Sequence, residues 1–227
     1  MAGGGSVLTI SALIFSGLDA NLANGTNRVG IFVETSTAFL TYKKENVYLG
    51  RRALFLALSA LPGAILGAIY AVNIEDALFK KIFVGVIIFV AFTLFKGRKS
   101  LGDRPLSDTP AVSWYAYPAM FLVGFYGGFV QAGVGLLIFS VLKSTTTASL
   151  VQISAIKTVI VFLYTVPALL IFVYAAQVAW LEAVVLASGY LIGARVSAKA
   201  AVKKGDKLVK RVLAAALVLI AIRLFTL

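Results

Sequence analysis

Cysteine and histidine are both absent from the 227-residue sequence. Without cysteine there is no disulfide and no thiolate metal site, and without histidine the imidazole zinc sites and Ser-His-Asp triads are excluded too. No spaced carboxylate pair offers general acid–base chemistry, so no enzyme, metal or cofactor is expected. No Gly-Lys-Ser/Thr phosphate loop is present, which leaves ion or substrate gradients, or a partner, as energy sources. Charge is scarce as well, at 13% of residues, about half the share usual in soluble domains. No segment has the basic start and small-residue cleavage site of a signal peptide.

What the chain has instead is apolar length. Hydrophobic residues make up 60% of it, and the mean hydropathy is +0.97, which indicates a polytopic protein of the lipid bilayer. Ala53–Val72, Ala111–Val130 and Val159–Trp180 carry few or no charges and approach the roughly 20 residues needed to cross a bilayer. Ile82–Phe95 and Leu213–Leu224 reach that length only with flanking residues. The net charge of +12 resides in short loops beside these spans. It reads as a set of topology determinants and not as a nucleic-acid surface.

The chain also repeats itself. Residues 1–97 laid on 131–227 without gaps give 23 identities. Ala2, Gly3 and Gly5 fall on Ala132, Gly133 and Gly135, and Leu61, Gly63 and Ala64 on Leu191, Gly193 and Ala194. The organisation read from this is repeat 1 over 1–97, a basic linker over 98–111 and repeat 2 over 112–227. Each repeat has a Gly-rich hairpin and three transmembrane helices, in an all-α fold. The segment Val112–Val130 has no counterpart in the first repeat, so the matching arm either precedes Met1 or has been lost.

Loop charges set the relative orientation. Lys43, Lys44, Glu45, Arg51 and Arg52 sum to +3, whereas the equivalent loop Tyr174–Glu182 has no basic residue. At the next loop the bias reverses, from zero over Asn73–Lys81 to +5 over Lys199–Arg211. Basic loops favour the cytoplasm, so equivalent loops are expected on opposite faces, as in an inverted-topology repeat.

Two kinds of motif could carry function. Gly3, Gly4 and Gly5, with Gly133 and Gly135 in the second repeat, open pieces too short to span a membrane. Such broken helices expose N–H groups that attract anions, although glycine also serves close helix packing. The second motif is polar: Asn24, Thr26, Asn27 and Arg28 precede one apolar span, and Gln152, Ser154 and Lys157 precede its counterpart. The breaks are read as Ser16–Arg28 and Lys143–Lys157. These residues either cap helices or supply donors and cations to an anion site. Glu34, at the position of Tyr164, could carry a coupling proton, pair with a cation or border a cavity.

The Ala2-Gly3-Gly4-Gly5-Ser6 opening, the Ala23-Asn24-Gly25-Thr26-Asn27-Arg28 block, Leu61-Pro62-Gly63-Ala64 and the Gly124…Gly135 run with Lys157 together resemble the sulfite exporter TauE/SafE family of bacterial membrane transporters. The resemblance implies a multi-pass protein of the bacterial inner membrane that moves small sulfur-containing or organic anions, here as an exporter working by alternating access. Asn24, Thr26, Asn27, Arg28, Gln152, Ser154 and Lys157 are then the expected substrate ligands, with no nucleic acid involved. A passive anion channel and a non-transporting membrane scaffold are the alternatives, and a homo-oligomer is left open.

Overall fold

A computed structural model describes residues 5–44, 50–95 and 111–204. Among them lie eight helices: α1 (Gly5–Phe15), α2 (Ala20–Lys44), α3 (Gly50–Asn73), α4 (Asp76–Phe95), α5 (Ala116–Phe129), α6 (Val134–Thr145), α7 (Leu150–Tyr174) and α8 (Trp180–Lys204). The expected span Leu213–Leu224, linker residues 98–110, Gly3 and Gly4 lie outside the described residues. Among the described residues two helices are long and apolar enough to cross a membrane alone, Arg51–Asn73 and Val151–Tyr174. Large apolar side chains are exposed along several helices, among them Phe55, Tyr70, Ile88, Phe92, Leu122, Leu170, Leu181 and Ile192. In water such a surface would be a liability, whereas against lipid it is the ordinary outer face of a helix.

Helix boundaries recur with the 130-residue shift of the sequence. Moved by that shift, α2 falls on α7 residue for residue, and α1 and α3 match α6 and α8 to within one residue at each end. The packing recurs too, since α2 lies on α8 while α7 lies on α3. The helices α2 and α7 run antiparallel. Phe162 stacks on Phe32 and Phe39 at 5.7 and 6.1 Å between ring centroids, and Ala155 meets Ala38 and Tyr42.

The polar blocks differ from the sequence expectation. They are not breaks before a span: the true breaks are 16–19 and 146–149, and Asn21–Arg28 forms the first turns of α2. Polarity usually ends an apolar helix at the membrane face, but here the polar side chains are buried against protein, which satisfies them without leaving the helix.

Two short arms make a hairpin. At ~1.5 Å per residue α5 and α6 are about 21 and 18 Å long, well under the ~30 Å hydrocarbon thickness. Their outer ends meet in a bridge between Val112 and Thr146, supported by Ser113 N donating to Thr145 O at 2.9 Å. Their inner ends are joined by a break in which Gln131 and Gly133 take left-handed backbone angles, φ 63° and 73°. Gly133 adopts that region freely, whereas for glutamine it is strained. The hairpin is seated on α3 by glycine. A Cβ on Gly63 or Gly67 would lie 2.1 or 2.0 Å from the carbonyl oxygens of Phe121 and Phe125. One on Gly124 or Gly128 would lie 2.1 or 2.0 Å from those of Ala60 and Ala64. The two backbones therefore touch directly, as small-residue spacing allows in membranes.

Candidate functional site

Each polar side chain at the start of α2 reaches a different part of the chain. Asn21 donates its backbone N–H to Asp76 Oδ1 at 3.0 Å and its Nδ2 to Ile74 O at 2.8 Å, fastening the α3–α4 turn. Asn24 Nδ2 donates to Phe129 O at 2.8 Å, at the end of α5. Thr26 Oγ1 accepts the N–H of Ala179 at 2.9 Å, which fastens the α7–α8 turn. Asn27 Oδ1 accepts from Thr9 Oγ1 at 2.6 Å and from Tyr190 OH at 3.1 Å, linking α1 and α8. Tyr190 has room for this only because position 30 is glycine, where a Cβ would lie 2.4 Å from its ring.

Arg28 is fully buried. Its Nη1 donates to Gly127 O at 3.3 Å and to Gln131 Oε1 at 3.5 Å, and its Nη2 to the carbonyls of Gly128 and, at 3.4 Å, Phe129. The guanidinium carbon also stands 4.4 Å from the centre of the Phe172 ring. The cation thus sits on the negative end of α5, where carbonyls with no intrahelical partner and the helix dipole offset its charge.

A cavity of ≈ 120 Å³ lies on the other side of this cluster. Its wall includes Glu34, Thr35 and Tyr42 of α2, Ser154, Lys157 and Thr158 of α7, and Tyr190 of α8. Gly5 and Ser6 at the start of α1 and Val134 and Gly135 at the start of α6 also line it. The N-terminus of α6 has no side-chain cap. The half-length helix α6 therefore brings its positive end to this small space, beside the first described residues of α1. Repeat-equivalent residues both line it, Gly5 with Gly135 and Ile31 with Val161.

The expected site residues divide accordingly. Glu34, Ser154, Lys157, Gly5 and Gly135 come together in the cavity wall. Asn24, Thr26 and Arg28 are not in that wall and hold other elements together. Asn27 adjoins it only through Tyr190, and Gln152 forms a capping box with Ser149 at the start of α7. Gly133 provides the N-cap of α6. Among the polar cavity residues, sequence reasoning missed Ser6, Thr35, Tyr42, Gln131, Thr158 and Tyr190. Gln131 and Tyr190 had a usable signal, a polar side chain within two residues of a glycine in an apolar stretch.

A lipid-facing exterior, broken helices and a polar cavity inside the helix pack are the marks of a membrane transporter. The chain belongs to the sulfite exporter TauE/SafE family, whose profile matches residues 1–224. It is similar to a probable membrane transporter protein, ORF9, of Sinorhizobium sp, with 27% identity over 99% of this chain and 85% of the relative. A probable membrane transporter protein of Haemophilus influenzae is 25% identical over 92% of this chain and 82% of its own length. The probable membrane transporter protein YfcA of Escherichia coli K12 is 25% identical over 92% and 78%. No solved structure matches the chain.

Proposed function

We propose that this transporter is a secondary exporter of small oxyanions, sulfite or sulfonate-like acids, in the bacterial inner membrane. The observation that carries the reading is the meeting of the α6 N-terminus and Lys157 in one cavity. The α6 N-terminus and Lys157 offset the desolvation of a negative ligand. Glu34, in the same wall, takes the coupling proton, because its ionised form would repel the anion.

Alternating access in this reading comes from two inverted repeats rocking about the cavity. Support comes from loop placement. The α7–α8 turn lies against the start of α2. Its repeat equivalent follows the other end of α2, at Lys44, about 27 Å away at ~1.5 Å per residue. The α3–α4 turn shares the first side, and neither turn carries a net positive charge. That side is therefore the periplasmic one by the positive-inside bias. The cavity is lined by the second half of α2, Ile31 to Tyr42, so it faces the cytoplasm, where an exporter must load.

The test is sulfite flux into proteoliposomes. Lys157→Ala should raise the half-saturating sulfite concentration at least tenfold, consistent with the ~2–5 kcal/mol lost when a desolvated charge loses its partner. Lys44→Ala, an exposed cation at the end of α2, serves as the control. Equal affinity in the two variants would overturn the anion site. Trans-stimulation identifies a carrier, flux without it a channel, and no flux at all a scaffold.

A further inference from the structure

We propose that Gln131 is a ligand of the transported anion and that Arg28 is the residue that positions it. The inference rests on the anion-site reading above, and deepens it. Gln131 is 1% exposed and lines the cavity at the mouth of the α5–α6 break. Its backbone is held at φ 63°, a conformation that costs a glutamine free energy and persists only where the surroundings enforce it.

The enforcement comes from Arg28. Its guanidinium binds the carbonyls of Gly127, Gly128 and Phe129 just before the break and the Gln131 side chain just after it. A guanidinium has donors and no acceptor, so the Gln131 atom turned towards it must be the oxygen. This removes the ambiguity of the amide. With Oε1 held by Arg28, the NH2 group is the end left to serve the cavity. The buried hydroxyl of Tyr164 makes no hydrogen bond and stands against Gly127, whose carbonyl shares the Arg28 guanidinium with Gln131. An NH2 group carries two hydrogens, enough for that hydroxyl and a ligand at once.

A buried cation behind the cavity wall is thus converted into a neutral donor in that wall. The arrangement gives the anion a hydrogen bond without a second full charge beside Lys157, so the ligand is held and can still leave. Gln131 sits directly before Ala132 and the Gly133 N-cap of α6, so its donor and the N–H groups of α6 approach the ligand from the same wall.

The experiment uses the full chain in proteoliposomes with sulfite as the probe, and compares Gln131→Glu, Gln131→Ala, Arg28→Lys and the Arg28→Lys/Gln131→Ala double variant. Gln131→Glu keeps an oxygen for Arg28 and the same shape, but turns an acceptor towards the anion. It should raise the half-saturating sulfite concentration at least tenfold while the maximal rate changes less than twofold. Gln131→Ala should raise it about fivefold. Arg28→Lys should match Gln131→Ala, and the double variant should be no worse than either single one, because the two residues act in series. Wild-type sulfite affinity in Gln131→Glu, or additive losses in the double variant, would overturn the proposal. Should Arg28→Lys fail to fold, Gln131→Glu decides alone. Lys157→Ala separates the two levels: if it weakens sulfite binding and Gln131→Glu does not, only this inference fails; if neither does, the anion site itself fails.

Discussion

A single methyl group added at Gly128 should separate α3 from α5. The new Cβ would stand 2.0 Å from the carbonyl oxygen of Ala64 and 2.6 Å from its carbonyl carbon and Cα. Those atoms are backbone, so no rotamer change relieves the clash, and ordinary contact at 3.4 Å requires the helices to part locally by about 1.4 Å. A gap of ~0.5–1 Å already forfeits a quarter to a half of a van der Waals well. The glycines at 63, 67 and 124 depend on the same close approach. Overpacking of this kind costs ~1–3 kcal/mol, and the absence of any flexible neighbour places Gly128→Ala at the upper end, about 3 kcal/mol. Gly189→Ala is the matched control, since it lies in α8 with nothing within 4 Å of its Cβ position. Both substitutions gain the same helix propensity, about 1 kcal/mol, so their difference isolates packing. The assay is equilibrium unfolding of purified protein in mixed detergent micelles, followed by far-UV circular dichroism. Sulfite flux should fall as well, because Gly128 O is a partner of Arg28. Stability within about 0.5 kcal/mol of the Gly189→Ala protein would refute the direct backbone contact.

Other consequences are separately measurable. Tyr190→Phe removes a hydroxyl shared by Asn27 and Thr9 and should cost about 1 kcal/mol in the same unfolding assay; no change would mean the node contributes no net stability. Glu34→Gln should abolish the stimulation of sulfite flux by a pH gradient and spare exchange, and an unchanged pH response would remove Glu34 from proton coupling. In this cysteine-free chain, Asn46→Cys and Gln177→Cys should react with an impermeant maleimide from opposite faces of the membrane. Reaction from one face would dismiss the inverted repeat.

The ends of most helices were readable from local sequence. Ala53–Val72 and Ala111–Val130 anticipated the C-terminal ends of α3 and α5 to within one residue, because apolar runs that stop at a polar residue report on their own neighbourhood. Asn21 to Arg28 defeated the same logic. Whether a polar residue in an apolar chain ends a helix or lies within one depends on what it meets, and here the partners are 18 to 163 residues away. The role of Arg28 was unreadable for a similar reason. A cation beside polar neighbours looks the same in sequence whether it faces a ligand or the carbonyls of a helix end. Lys157 and Ser154, with short paths to open space, were placed by their repeat register alone.

The polar start of α2 also constrains how this protein is made. Asn24, Thr26 and Asn27 leave the ribosome long before Phe129, Ala179 and Tyr190, the residues that satisfy them. At ~5–20 residues per second, Tyr190 follows the end of α2 by roughly 7–30 s. During that interval α2 carries amides, a hydroxyl and a guanidinium that lipid cannot solvate. The first helices therefore have no stable resting place of their own. They wait in the protein-lined or watery environment of the insertion machinery, and commit to the bilayer only when the second half of the chain arrives to close over them.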